Sequence, residues 1–188
     1  MNKKVFTIPN IISMFRIVLI IAFIPVYFSK IENNLLISLG IMLLSGLSDV
    51  ADGFIARRFN MVSDVGKVLD PIADKLTQGV ILFCLLINHS SIFPMFIVLF
   101  VKELLTAFAA GYLLKNGLKP MSAKWWGKLS TAIIYLTIFY TIINDHFGLY
   151  DIVLTVLVAV SIVCMLISLL GYVSVILSKS KDAIKESK

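Results

Sequence analysis

Charge is scarce in this chain. Asp, Glu, Lys and Arg make up only 15% of its 188 residues, against 59% hydrophobic, a balance that excludes a soluble globular domain of this length. Histidine and cysteine are nearly absent, two of each. His89 and His146 have no cysteine or histidine nearby, so neither is a metal-ligand candidate. Cys84 and Cys164 each lie deep in an apolar run and read as inert thiols that pack like small hydrophobes. There is no internal repeat, and no low-complexity tract beyond a short lysine-rich tail. The formal charge is +6, yet the basic residues sit in short segments between apolar runs. That pattern fits membrane topology and lipid headgroups, and it argues against nucleic acid as a partner.

What the chain does have is a series of apolar runs. Each is long enough to cross a hydrocarbon layer of roughly 30 Å, which takes about 20 helical residues. Six spans are expected, at about 14–29, 34–59, 63–88, 91–116, 126–144 and 150–177. The fold class is therefore an all-α integral membrane protein, one catalytic bundle over residues 1–188. Lys3 and Lys4 precede the first run, but it ends in Val-Tyr-Phe-Ser-Lys without a small-residue cleavage site, so it reads as a retained anchor rather than a signal peptide. Apolar and polar residues interleave up to Arg16, which suits an interfacial segment over about 1–13; the plain start of the first span is the alternative. Residues from about 178 to 188 form a polar tail. Basic residues alternate between connections: Lys3 and Lys4, then Arg57, Arg58 and Lys67, then Lys115, Lys119 and Lys124, then the tail. By the positive-inside rule both termini face the cytoplasm, as expected in a bacterial cytoplasmic membrane. Trp125 and Trp126 read as interfacial belt residues.

The junction of the second and third runs breaks the hydrophobic pattern. Asp49, Asp52, Gly53 and Ala56 are spaced to share one helical stripe, and Gly66, Asp70 and Asp74 a second one. A short connection makes the two helices antiparallel, with both stripes toward the cytoplasmic end. Neighbouring carboxylates repel by up to about 4 kcal/mol per pair at an intermediate effective dielectric, so something positive must sit among them. Arg57, Lys67 and Lys75 are side-chain candidates for that charge. Two divalent cations are the other solution, and oxygen ligands without histidine or cysteine point to Mg²⁺ or Mn²⁺. A two-metal carboxylate site suits phosphoryl chemistry. Gly53 and Ala56 let a ligand approach the backbone and Arg57 can grip a phosphate, although close helix packing also explains the two small residues.

The string Asp49-x2-Asp52-Gly53-x2-Ala56-Arg57-x8-Gly66-x3-Asp70-x3-Asp74 resembles the complete signature of the CDP-alcohol phosphotransferase family. The resemblance implies a CDP-alcohol phosphotransferase-like bundle in which Asp49, Asp52, Asp70 and Asp74 bind two metals and Asp74 doubles as general base. It implies that Gly53, Ala56, Arg57 and Gly66 serve the cytidine diphosphate donor, and that the protein is a homodimer. Asn10-x2-Ser13-x2-Arg16, Asp70-Pro71-x-Ala73-Asp74-Lys75 and Gly127-Lys128-x2-Thr131 resemble elements of the phosphatidylglycerophosphate synthase branch, with serine where threonine is usual. This implies CDP-diacylglycerol as donor and glycerol 3-phosphate as acceptor. The acceptor dianion calls for cations beside the metals, and Arg16, Lys75, Lys102, Lys124 and Lys128 are the candidates. Lys102 and Glu103 lie mid-run, where an ionisable pair is functional by default, though mutual pairing is the alternative. For Lys124 and Lys128 the alternative is headgroup contact. Other acceptors (inositol phosphate, serine, phosphatidylglycerol) keep the same chemistry. A small cation transporter belongs to a different class and needs polar residues across the whole membrane, whereas these acids cluster toward one face.

Overall fold

Apolar sequence that must satisfy its own backbone in lipid folds as helix, and the computed structural model follows that rule. It describes residues 7–59, 66–115 and 125–186, all helical apart from the short connections. The helices are α1 (Ile8–Tyr27), α2 (Asn34–Arg58), α3 (Gly66–Asn88), α4 (Phe93–Lys115), α5 (Trp125–Phe147) and α6 (Asp151–Glu186), with a single 3₁₀ turn, Ser90–Ile92, before α4. Among the described residues, five helical segments are long and apolar enough to cross a membrane: Ile8–Tyr27, Asn34–Ile55, Ser90–Ala109, Trp125–Phe147 and Asp151–Ser174. The 23-residue α3, which carries Lys67, Asp70, Asp74 and Lys75 in its amino-terminal half, is not among them.

Two boundaries differ from expectation. Residues 8–13 are the opening turns of α1 and run without a break into the span that was expected to start near residue 14; residues 1–6 lie outside the described set. At the other end, α6 stays helical through Glu186. Lys, Ala and Glu are good helix formers, so an apolar helix entering water among them has no reason to stop.

The chain divides into two compact units. Met1–Asn88 with Ile138–Leu149 form one, and His89–Thr137 with Tyr150–Lys188 form the other, so α5 contributes to both.

In the first unit α1 packs on both α2 and α3. Its buried residues, Pro9, Asn10, Ser13, Arg16, Ile20, Phe23 and Tyr27, recur every three or four positions and form one stripe. The stripe is polar at its amino-terminal end and aromatic at the other, where Phe23 and Tyr27 stack with ring centroids 5.6 Å apart. The opposite face, with Ile8, Ile11, Phe15, Val18 and Ile21, is exposed and apolar, as lipid contact requires. On α2 the buried residues Ser38, Met42, Ser45 and Asp52 are mostly small, which lets a neighbouring helix approach closely. Asn34, the first residue of α2, donates its amide Nδ2 to the carbonyls of Tyr27 (3.0 Å) and Ser29 (2.8 Å), covering groups that the end of α1 leaves without helical partners. Asn88 Nδ2 donates to Tyr27 Oη at 3.1 Å and ties α3 to α1.

In the second unit α4 packs on α6. The buried residues include Ile92, Met95, Leu99, Ile134, Leu154, Val158 and Met165. Thr137 of α5 and Ser161 of α6 share a buried hydrogen bond of 2.8 Å. The part of α5 that belongs to the first unit ends at Gly148, whose φ of +63° is a left-handed conformation that favours glycine and whose N–H closes the helix on the Asn144 carbonyl at 2.8 Å.

Candidate active site

The site lies in the first unit, where three helices supply its parts. Asp49 and Asp52 are three residues apart on α2, and Asp70 and Asp74 four apart on α3, so each pair projects from one side of its helix. Asp49, Asp52 and Asp70 each bring one carboxylate oxygen within 4.8 Å of the others. Asp52 is almost completely buried, while Asp49, Asp70 and Asp74 are each a little under half exposed.

The positive charge among these acids comes from α1. Arg16, 1% exposed, reaches Asp49 Oδ1 at 2.7 Å and Asp74 Oδ1 at 3.4 Å through Nη1. Through Nη2 it reaches Asp52 Oδ2 at 2.6 Å and Asp70 Oδ1 at 3.8 Å. Ser13, one turn earlier, has its Oγ 2.9 Å from Asp70 Oδ1, 3.2 Å from Asp52 Oδ2 and 3.1 Å from the Pro9 carbonyl. Sequence reasoning placed Arg16 among the acceptor-phosphate ligands and named Arg57, Lys67 and Lys75 as countercharges. Among the described side chains the contacts show Arg16 beside all four acids, while the side chains of Arg57 and Lys67 lie outside the described residues. The signal was present: Asn10, Ser13 and Arg16 fall every third residue on the buried stripe, which is the side of α1 that must face its neighbours. Ser13 was noted only as part of a motif, and its bridging of α2 and α3 was missed.

The residues fit a hard divalent cation. All four acids carry oxygen donors, and Asp52 Oδ1 is buried without a hydrogen-bond partner while Oδ2 of the same carboxylate takes both Arg16 and Ser13. A bare buried carboxylate oxygen is costly unless something positive meets it.

The other residues singled out from sequence are placed as follows. Gly53 follows Asp52 on α2, and Gly66 opens α3. Ala56 and Arg57 are in the last turns of α2, and their side chains lie outside the described residues, as does all of Lys124. Lys75 is exposed, one residue beyond Asp74. Lys102 and Lys128 belong to the second unit. Lys102 is buried on α4 with its Nζ 3.3 Å from Glu103 Oε1, and Lys128 is exposed in the first turn of α5, next to the exposed Trp125 and Trp126.

Residues 6–176 match the family described as CDP-alcohol phosphatidyltransferase. Among curated relatives, the CDP-diacylglycerol–glycerol-3-phosphate 3-phosphatidyltransferase of Aquifex aeolicus is 32% identical over 169 residues, 88% of this chain and 93% of that protein. The enzyme of the same description from Haemophilus influenzae is 28% identical over 130 residues, 67% of this chain and 70% of the relative. A putative cardiolipin synthase of Mycobacterium tuberculosis is 35% identical over 132 residues, 69% of this chain and 61% of the relative.

Proposed function

The chain belongs to the CDP-alcohol phosphatidyltransferase family, and from that premise we propose that it transfers the phosphatidyl group of CDP-diacylglycerol to glycerol 3-phosphate, releasing CMP. Membership in a family of transferases sets aside the cation-transporter reading. One observation carries the chemistry: four carboxylates from two helices converge on a single guanidinium and leave a buried oxygen for a cation. The acceptor is supported by the similarity to the Aquifex aeolicus enzyme over nearly the whole of both chains.

In this reading Asp49, Asp52, Asp70 and Asp74 hold two Mg²⁺ or Mn²⁺ ions. Bound there, the metal neutralises the pyrophosphate and the charge that grows on the departing CMP oxygen. The protein does the rest. Gly53, Ala56, Arg57 and Gly66 serve the nucleotide of the donor. Asp74 accepts the proton of the acceptor hydroxyl, whose oxygen forms the new ester bond to the lipid-bearing phosphorus as the bond to CMP breaks. Lys75, one residue beyond Asp74, contributes positive charge for the acceptor phosphate. Six membrane spans with the charged half of α3 and both termini at the cytoplasmic face, in a bacterial cytoplasmic membrane, and a homodimeric assembly complete the proposal.

Its test is CMP release from CDP-diacylglycerol by the purified chain in detergent, with a panel of alcohols. Turnover with glycerol 3-phosphate that stops in excess chelator is the expected result; full activity in chelator removes the metal. A second acceptor, phosphatidylglycerol, is favoured by relatives named cardiolipin synthase, one of them 31% identical over 155 residues from Streptomyces coelicolor. Turnover with phosphatidylglycerol and none with glycerol 3-phosphate establishes that reading instead. The donor side is tested separately: Ala56→Leu should abolish CDP-diacylglycerol binding, and unchanged donor affinity assigns Ala56 to helix packing.

A further inference from the structure

The guanidinium of Arg16 is shared in a particular way. Nη1 lies between Asp49 of α2 and Asp74 of α3, at 2.7 and 3.4 Å. Nη2 lies between Asp52 of α2 and Asp70 of α3, at 2.6 and 3.8 Å. Each terminal nitrogen thus joins one acid of each helix, a match that needs a planar fork with two terminal nitrogens and that a lysine ammonium cannot reproduce. Arg16 Nε has no hydrogen-bond partner, so the acids alone orient the group. At 1% exposure it cannot swing to water for its charge balance.

From this geometry we infer that Arg16 is a built-in countercharge of the carboxylate cluster. It is a positioning residue that assembles the four acids without a cation and weakens their hold on the cation they take. The inference rests on the metal reading above and adds a term to it.

Four carboxylates without a partner would push α2 and α3 apart, since like charges at these separations repel strongly in a medium less polar than water. One guanidinium within 4 Å of all four offsets part of that repulsion, one positive charge set against four negative ones. The cluster is therefore stable enough to form, yet negative enough to draw a divalent ion. Arg16 and Ser13 both use Oδ2 of Asp52, so Oδ1 stays bare in a buried position. Protein contacts take one oxygen and the cation can take the other, the arrangement in which outer hydrogen bonds aim a metal ligand. A fixed positive charge this close must also repel an incoming Mg²⁺. Loss of the charge should therefore tighten cation binding even as it loosens the cation-free fold.

The experiment measures Mn²⁺ binding by electron paramagnetic resonance on the full chain purified in detergent, without substrates, for wild type, Arg16→Gln and Arg16→Lys. Thermal unfolding with and without Mg²⁺ is followed in parallel. The inference expects Arg16→Gln to bind Mn²⁺ at least about fivefold more tightly than wild type. It also expects a lower metal-free unfolding temperature in that variant, with a larger gain on adding Mg²⁺. Arg16→Lys keeps the charge, so its Mn²⁺ affinity should stay within about threefold of wild type while kcat falls for want of the fork. Equal or weaker Mn²⁺ binding by folded Arg16→Gln overturns the inference. If Arg16→Gln yields no folded protein even in Mg²⁺, Arg16→Lys decides: a tenfold change in Mn²⁺ affinity overturns the countercharge role, and an unchanged one upholds it. Wild type that binds no Mn²⁺ removes the metal reading itself, whereas wild type that binds it beside an unshifted Arg16→Gln removes only the role of Arg16.

Discussion

In the first unit a guanidinium and a hydroxyl from α1 meet four carboxylates from α2 and α3. In the second, Thr137 of α5 and Ser161 of α6 meet each other at 2.8 Å, and Lys102 and Glu103 of α4 pair at 3.3 Å. All of these are polar side chains on apolar helices. They differ in balance. The hydroxyl pair, with Thr137 also bonded to the Ile133 carbonyl at 2.9 Å, and the Lys–Glu pair match donor to acceptor and charge to charge. Among the described residues the aspartate cluster does not close: one guanidinium serves four acids, and Asp52 Oδ1 is left over. A closed polar contact in a membrane helix ties elements together, while an open one of a single sign waits for a ligand.

The comparison breaks first, if it breaks, at the acids. Asp49→Asn, Asp52→Asn and Asp70→Asn should each lower turnover by roughly 10²–10³-fold in a CMP-release assay, since each removes charge aimed at the reacting phosphate. Retained activity in any of them takes that acid out of the catalytic set. The next effect is on stability. Arg16→Ala leaves the buried Asp52 carboxylate without its charged partner, and breaking such a contact costs about 3–5 kcal/mol. A marked drop in unfolding temperature in detergent is expected, in part reversed by Mg²⁺, and an unchanged temperature would show that the acids tolerate one another.

Smaller effects sharpen the contrast between open and closed contacts. A charge-assisted contact contributes roughly 1.5–3 kcal/mol, about ten- to a hundredfold in affinity. Lys75→Ala should raise KM for glycerol 3-phosphate by about tenfold with little change in the donor KM. Lys102→Ala, whose charge already faces Glu103, should move the acceptor KM by less than about twofold. The reverse ordering assigns the acceptor phosphate to α4. The smallest effect belongs to the hydroxyl pair. Thr137→Val should cost about 0.6 kcal/mol, the average for such bonds between membrane helices, and Ser161→Ala in the same chain should add almost nothing. A double variant much less stable than either single one would mean that the two hydroxyls stabilise the helices independently of each other.

Much of the helix plan was legible from hydropathy. The span expected at 34–59 is α2, Asn34–Arg58, and the one at 63–88 ends where α3 does, at Asn88. The start of α1 was less so. Asn10 and Ser13 lower the hydropathy of residues that are buried against protein, so the apolar run begins later than the helix. The end of α6 was hidden for the opposite reason, because helix propensity carries it past the last apolar residue to Glu186.

The four aspartates and their pairing on two helices were determined by sequence alone, because spacings of three and four leave a helix only one way to present them. The excess of negative charge followed from counting. Which cation answers it did not follow, since Arg16 is 33 residues from Asp49 and 58 from Asp74, and no local pattern links them. Tertiary packing decided that point. α1 lies against both α2 and α3, and its buried stripe had to carry whatever those two helices left unbalanced. A long side chain with two terminal nitrogens at the polar end of that stripe is the group able to touch an acid of each helix twice, and only the folded arrangement brings the four within its reach.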